Sequence, residues 1–269
     1  MQVMPRNTDT MEGDPISFGG LFDQYTFVIP EFQRDFEWEG DKVAQFYIDV
    51  KEESGKDTQY FFGPIVLVSP AGFNEQQIID GQQRITCASI FIAVIADILF
   101  STGEHGMEAV ADGFYRRIAN FGTNWQPKLT PSSDYTLFFS KLLQKDSPVK
   151  KITTRTVDAI REIEKNMLAA YKIFYEKLKE DFTNNGVWDT GKLINLFNSF
   201  TSLDEFALLK IRVPDNRSAW QIFINLNQKG QDLQISTLVK AVLLSTIPVG
   251  SDRDMYTDQW EDMEQELEG

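Results

Sequence analysis

The chain has 269 residues, of which 42% are hydrophobic and 25% are charged, so it can bury a large core and is not disordered. Its formal net charge of −14 argues against a domain that coats DNA through bulk positive charge. One cysteine, Cys87, and one histidine, His105, exclude an internal disulfide, a zinc site of several Cys and His ligands and an HNH-type nuclease centre. We therefore expect a protein of the reducing cytoplasm.

The first hundred residues predict a mixture of α and β structure. Residues 1–14 are polar and predict a flexible tail. Strands are predicted at YTFVIP from Tyr25, at FFGPIVLVSP and at QQIID, and helices at GDKVAQFYIDVKEE and over the apolar run that ends at Phe100. That run is shorter than a membrane span, so a buried helix and no membrane contact are expected.

Beyond residue 105 the pattern is mainly helical. Helices are predicted from Asp134, from about Thr154 to Asp181, and twice after Pro214, with FALLKIRV as one returning strand. The expected division is a tail at 1–14, an α/β part at 15–105 and a helical part at 106–250. Residues 251–269 are predicted to be an acidic helix or a linker to a missing domain.

The segment Asp80-Gly81-Gln82-Gln83-Arg84 follows a predicted strand and opens the apolar helix. A helix N-terminus with a glycine suits a phosphate, because its N–H groups are unpaired and no side chain blocks the approach. An arginine in the first turn opposes the helix dipole, which is typical of a functional site. The alternative is an ordinary N-cap at Asp80, with Arg84 paired to a surface acid.

Two further segments are candidates for chemistry. In PEFQRDFEW, an extended chain would place Phe32, Arg34, Phe36 and Trp38 on one face, either as a stacked cationic pocket or as a core strand with Arg34 turned outwards. In FINLNQKGQDL, Asn227 precedes a capping glycine, and Lys240 lies on the helix that follows.

Three segments, taken together in this order, resemble the N-terminal domain of GmrSD-type, type IV restriction enzymes of bacterial phage defence. They are IPEFQRDFEW, IIDGQQRIT and IFINLNQKGQDLQISTLVKAVLLS. The resemblance runs from about Phe18 to the end, and Thr237 departs from it where an acidic residue is common. It implies an α+β fold similar to ParB and sulfiredoxin, followed by a helical bundle. It also implies a nucleoside triphosphatase that senses modified DNA, with the nuclease domain missing from this chain.

The resemblance implies roles for the candidate residues. Gly81, with Gln82 and Gln83, would hold the phosphates of a nucleoside triphosphate with Mg²⁺, and Arg84 would neutralise developing charge. Gln82 or Gln83 would also orient the water, and Asp80 would cap the helix, hold the metal indirectly or take a proton. A second group would close over the nucleotide: Gln33, Arg34, Asn227 and Lys240.

Other functions remain open at this stage. The same pocket without turnover would make the chain a regulatory module that binds nucleotide or modified DNA. A sulfiredoxin-like reductase would need a thiol in the phosphate turn, where this chain has Gln82, and a helical adaptor would leave Arg84 unexplained. We expect binding to DNA to be weak, salt-dependent and reliant on the missing nuclease domain, and the sequence leaves homo-oligomerisation undecided.

Overall fold

The computed structural model describes residues 12–30, 33–68, 75–121, 125–131, 135–151 and 161–213. Several predictions fall outside these ranges. They are the position of Phe32, the two helices after Pro214, the acidic terminal stretch, and the site residues Asn227 and Lys240.

The predicted strands and helices of the first hundred residues are all present. In chain order the elements are β1 (Glu12–Ile16), α1 (Phe18–Gln24), β2 (Thr26–Val28), α2 (Gly40–Glu53), β3 (Tyr60–Val68), β4 (Glu75–Asp80) and α3 (Gln82–Ser101). The predicted flexible tail is wrong for residues 12–14, because they belong to β1 and pair with a later strand.

The rest of the described chain is mainly helical, with short strands between the helices. Its elements are α4 (Met107–Ile118), β5 (Ala119–Phe121), β6 (Trp125–Pro127), β7 (Leu129–Thr130), α5 (Thr136–Leu143), α6 (Glu162–Phe182), β8 (Thr183–Asn184), β9 (Val187–Trp188), α7 (Thr190–Thr201) and β10 (Phe206–Val213). The returning strand is confirmed as β10. The predicted helix from Thr154 is described only from Glu162 onwards.

A six-stranded mixed sheet in the order β1-β10-β3-β4-β2-β7 organises the fold. The late strand β10 lies between β1, to which it is antiparallel, and β3, to which it is parallel. The α+β class is therefore confirmed. The division at residue 105 stays a prediction, and one hydrophobic core runs across it from Ile16 to Leu208.

Helix α3 is the centre of the core. It packs against α4, α6 and α7, and sixteen of its residues are buried. It is long and apolar enough to cross a membrane, but 78% of its most apolar window is already buried inside the protein. Phe91 of α3 packs edge-on against Phe174 and Phe200, at ring centroid distances of 5.1 and 5.2 Å. This packing fixes the position of the helix N-terminus.

Three helices, α1, α4 and α7, were not predicted individually, although the sequences of α4 and α7 carry their signal. In α4 the residues Ala111, Phe114, Tyr115 and Ile118 have helical spacing, and all four are buried. In α7 the side chain of Asp189 caps the helix by accepting a hydrogen bond from the N–H of Lys192 at 3.0 Å.

Candidate functional site

The turn between β4 and α3 is built around Gly81. Gly81 is the N-cap of α3 and has a φ of +94°, a left-handed conformation that favours glycine. A Cβ at this position would lie 2.9 Å from Cγ1 of Ile65 on β3, which no side chain tolerates without a shift. The alternative in which Asp80 caps the helix is wrong, because Asp80 is the last residue of β4.

Arg84 bends back from the first helical turn onto β3. Its Nη1 donates a hydrogen bond to the carbonyl oxygen of Pro64, and its Nη2 lies 3.6 Å from Oδ2 of Asp80. Nη1 would be only 3.1 Å from a Cβ at Gly63, so the absence of a side chain there makes room for the guanidinium. The sequence analysis missed both β3 residues. A Gly-Pro pair inside a run of β-branched residues was the available signal.

For both Asp80 and Arg84, burial shifts the pKa in one direction and neighbouring charges shift it in the other. Burial raises the pKa of Asp80, while the positive charges of Arg84 and Arg34 and the N–H of Gly81 oppose that shift. Burial lowers the pKa of Arg84, and the carboxylate of Asp80 opposes that shift. Asp80 therefore lies within the electrostatic reach of two arginines, although the sequence places Arg34 far from it.

The two glutamines of the turn hold residues 33–37, which we call the strap. Gln82 Nε2 donates to the carbonyl oxygen of Arg34 at 2.7 Å, and Gln83 Nε2 donates to that of Asp35 at 2.6 Å. Gln83 Oε1 accepts a hydrogen bond from the N–H of Glu37 at 3.0 Å. Both amide atoms of Gln83 are thus engaged, which leaves Gln82 for the predicted water-orienting role.

Gln33 anchors the start of the strap. Its Nε2 donates to the carbonyl oxygen of Ile79 on β4 at 3.0 Å, and its side chain is buried. The predicted shared face is wrong for Arg34 and Phe36: Phe36 is buried, whereas Arg34 is exposed and pairs with Glu37 at 3.1 Å. The strap is not a regular strand, because its buried residues, Gln33 and Phe36, are three apart.

One polar atom at the turn has no hydrogen-bond partner among the described residues. Gln82 Oε1 is buried there without a donor, while the other end of the same amide is engaged with the strap. An unpaired buried acceptor is costly, so this atom is suited to a water or a ligand N–H. The turn therefore combines a helix N-terminus, two cationic side chains and an open acceptor, a combination that suits a ligand with anionic and hydrogen-bonding groups.

Other candidate groups are occupied or inert. Lys150, from the densest basic stretch of the sequence, has a side chain only 8% exposed and lies 2.5 Å from Asp97, so its charge does not face solvent. Burial raises the pKa of the Cys87 thiol, which fits an inert core cysteine. Within the described ranges, His, Cys, Asp and Glu side chains form no group of three that could hold a metal.

The profile of the family described as "GmrSD restriction endonuclease, N-terminal domain" matches residues 18–244. The chain belongs to this family. The match covers the first two segments on which the sequence resemblance rests and the third as far as Leu244, and it sets the chain in the context of restriction systems and phage defence. No curated protein sequence matches the GmrSD-type chain.

Proposed function

We propose that this GmrSD-type domain binds and hydrolyses a nucleoside triphosphate at the Asp80–Arg84 turn, and that this activity is coupled to the sensing of modified DNA. The observation that carries the proposal is the position of Arg84. A largely buried guanidinium in the first turn of a helix costs stability unless its charge is paired. Arg84 donates to the neutral carbonyl oxygen of Pro64, but its carboxylate partner, Asp80, lies 3.6 Å away, longer than a direct hydrogen bond. Phosphate oxygens would give the guanidinium close anionic acceptors.

The residues fit a divalent metal that arrives with the nucleotide. Magnesium is usually held by one or two carboxylates together with substrate phosphates. Asp80 is the carboxylate at this turn, and it would hold the ion directly or through water. Bound there, Mg²⁺ would supply charge neutralisation at the phosphates.

Residues of the chain would bind the phosphates, supply positive charge and orient the water. The N–H groups of Gln82 and Gln83 at the helix start would donate to phosphate oxygens, whereas the N–H of Gly81 is bonded to the carboxylate of Asp80. Arg84 and Arg34 add positive charge from α3 and from the strap. Gln82 Oε1 accepts a hydrogen bond from the attacking water and so orients it.

A non-hydrolysing regulatory module is the second candidate, and one observation favours it. Gln83 has both amide atoms engaged, and Asp80 is paired with Arg84, so Gln82 alone is left to position a water. A site with so few groups for proton transfer could bind nucleotide and switch a partner without turnover.

The test is phosphate release from ATP, GTP, CTP and UTP with Mg²⁺, with binding measured by calorimetry. Wild type is compared with Arg84→Ala and with Arg116→Ala, a control that removes an exposed arginine of α4. If wild type and Arg116→Ala release phosphate and Arg84→Ala does not, the result supports the hydrolase. If wild type and Arg116→Ala bind nucleotide without releasing phosphate, and Arg84→Ala does not bind, the result supports the regulatory module. Equal binding by wild type and Arg84→Ala would contradict both.

Binding to DNA is proposed to be weak and to need the nuclease domain. Fluorescence anisotropy with modified and unmodified duplexes, at low and high salt, measures it. Nanomolar binding that survives high salt would contradict this part of the proposal, because a protein of net charge −14 cannot retain purely electrostatic contacts there.

A further inference from the structure

A second polar cleft, which we call the α2–α7 cleft, lies apart from the Asp80–Arg84 turn. It has a volume of about 630 Å³ and is lined by the end of α2, the end of α6, α7 and the residues before β10. It shares no lining residue with the turn or the strap. Its size is within the range of small-molecule and peptide sites.

Glu205 is a fixed carboxylate at this cleft. Its Oε2 accepts hydrogen bonds from the hydroxyl of Ser199 and from the N–H of Gly55, the latter at 2.7 Å. Its Oε1 accepts none from the residues that the structure describes. Both donors are neutral, so Glu205 keeps an uncompensated negative charge with one oxygen open.

The two cations of the cleft are already paired. Lys51 lies 2.5 Å from Asp181, and Lys192 lies 3.0 Å from Asp189. Within the described ranges, Glu205 is thus the one charged lining residue without an opposite charge beside it. This balance disfavours a phosphate or a carboxylate as ligand and favours a cation.

Two amides and an aromatic ring complete the cleft. Asn195 and Asn198 lie three apart on α7, so they share a face, and their exposed side chains have no hydrogen-bond partner among the described residues. Phe182 adds a half-buried ring to the same wall. A planar cation with several N–H donors could pair with the carboxylate, donate to both amides and stack on the ring.

We propose that the α2–α7 cleft binds a guanidinium group, with Glu205 Oε1 as its charged acceptor. An ammonium group fits less well, because it is a compact point charge and lacks the planar fork of N–H donors that can pair with a carboxylate and reach amide oxygens at once. The guanidinium comes from an arginine side chain of a protein segment or from a small free compound. This site is independent of nucleotide binding.

The experiment titrates the full chain with N-acetyl-arginine amide and with its neutral isostere, N-acetyl-citrulline amide. Calorimetry and the side-chain amide resonances of Asn195 and Asn198 report binding. We expect saturable binding of the arginine compound and binding of the citrulline compound weaker by about tenfold, because a hydrogen bond to a charged group is lost. Equal binding of the two, or no saturable change with either, would overturn the proposal.

Variants locate the site. Glu205→Gln should weaken arginine binding about tenfold, whereas Asp204→Asn, the neighbouring exposed acid, should leave it unchanged. If Glu205→Gln fails to fold, Asn198→Lys decides, since it places a like charge in the cleft and leaves the contacts of Glu205 intact. Unchanged affinity for the arginine compound in that variant would contradict the assignment of the α2–α7 cleft as its binding site.

The same titration with a capped Ala-Arg-Ala peptide distinguishes the two sources. Tighter binding of the peptide than of the amino-acid amide supports a protein segment as the ligand. Equal affinities support a small free guanidinium compound, since the flanking residues then contribute nothing.

Discussion

The side-chain amide of Gln83 holds Glu37 in place across 46 residues of sequence. Gln83 Oε1 accepts from the N–H of Glu37 at 3.0 Å while its Nε2 donates to the carbonyl oxygen of Asp35 at 2.6 Å. A neutral amide can satisfy a donor and an acceptor of the backbone at once, which a carboxylate cannot. The second glutamine of the turn therefore fixes the strap beside Asp80 and Arg84.

Gln83→Ala is expected to loosen the strap. The substitution removes two hydrogen bonds from partly buried backbone groups, the N–H of Glu37 and the C=O of Asp35, so the free energy of unfolding should fall by about 1–3 kcal/mol. Hydrogen exchange at the Glu37 amide should accelerate by more than exchange in α3. The control is Gln126→Ala at an exposed position of β6, and equal exchange at Glu37 in both variants would contradict the role of Gln83.

Gly81→Ala is expected to destabilise the protein more than Gly106→Ala. Both glycines are helix N-caps with positive φ, +94° and +84°, but a Cβ at Gly106 meets nothing within 4 Å. The left-handed conformation costs about 1–2 kcal/mol at either site. Urea denaturation should show an additional loss at Gly81, where the Cβ meets Ile65, and equal losses would mean that β3 moves aside without cost.

Lys150→Met is expected to destabilise the fold by about 1–4 kcal/mol, since it removes the cationic partner of a mostly buried carboxylate. Asp97 keeps its hydrogen bonds from Tyr115 and Tyr171, which limits the loss. Lys165→Met breaks a surface ion pair with Glu162, where an effect below about 1 kcal/mol is expected. Thermal or urea denaturation that gives both variants the same stability would show that the buried pair contributes nothing.

The hydroxyl of Tyr60 is expected to lose its proton at a higher pH than an ordinary tyrosine. Burial, the hydrogen bond to Asp49 and the nearby carboxylates raise its pKa from 10.0 to about 12. The folded state therefore binds this proton more tightly than the unfolded state, so the contribution of Tyr60 to stability falls as pH rises from 10.0 towards about 12. The tyrosinate absorbance difference between wild type and Tyr60→Phe should appear near that upper value, and a step at the lower value would refute the shift.

The sequence by itself determined much of the local structure. The spacing of Val43, Phe46, Tyr47 and Val50 predicted the buried face of α2, and all four are buried. The strand–glycine–helix pattern located the turn at Gly81, because a positive φ and a helix start have local chemical signatures. The family was also readable from the three segments, and the match to residues 18–244 confirms it.

Only the tertiary structure decided what surrounds the turn. The side chains of Gln33, Gln82 and Gln83 bind backbone atoms up to 48 residues away, and a backbone carbonyl has no sequence signature. Extended spacing placed Arg34 with the aromatics, whereas the anchoring of the strap by these glutamines turns it to the surface. Long-range hydrogen bonds and core packing set these positions, and no local pattern encodes them.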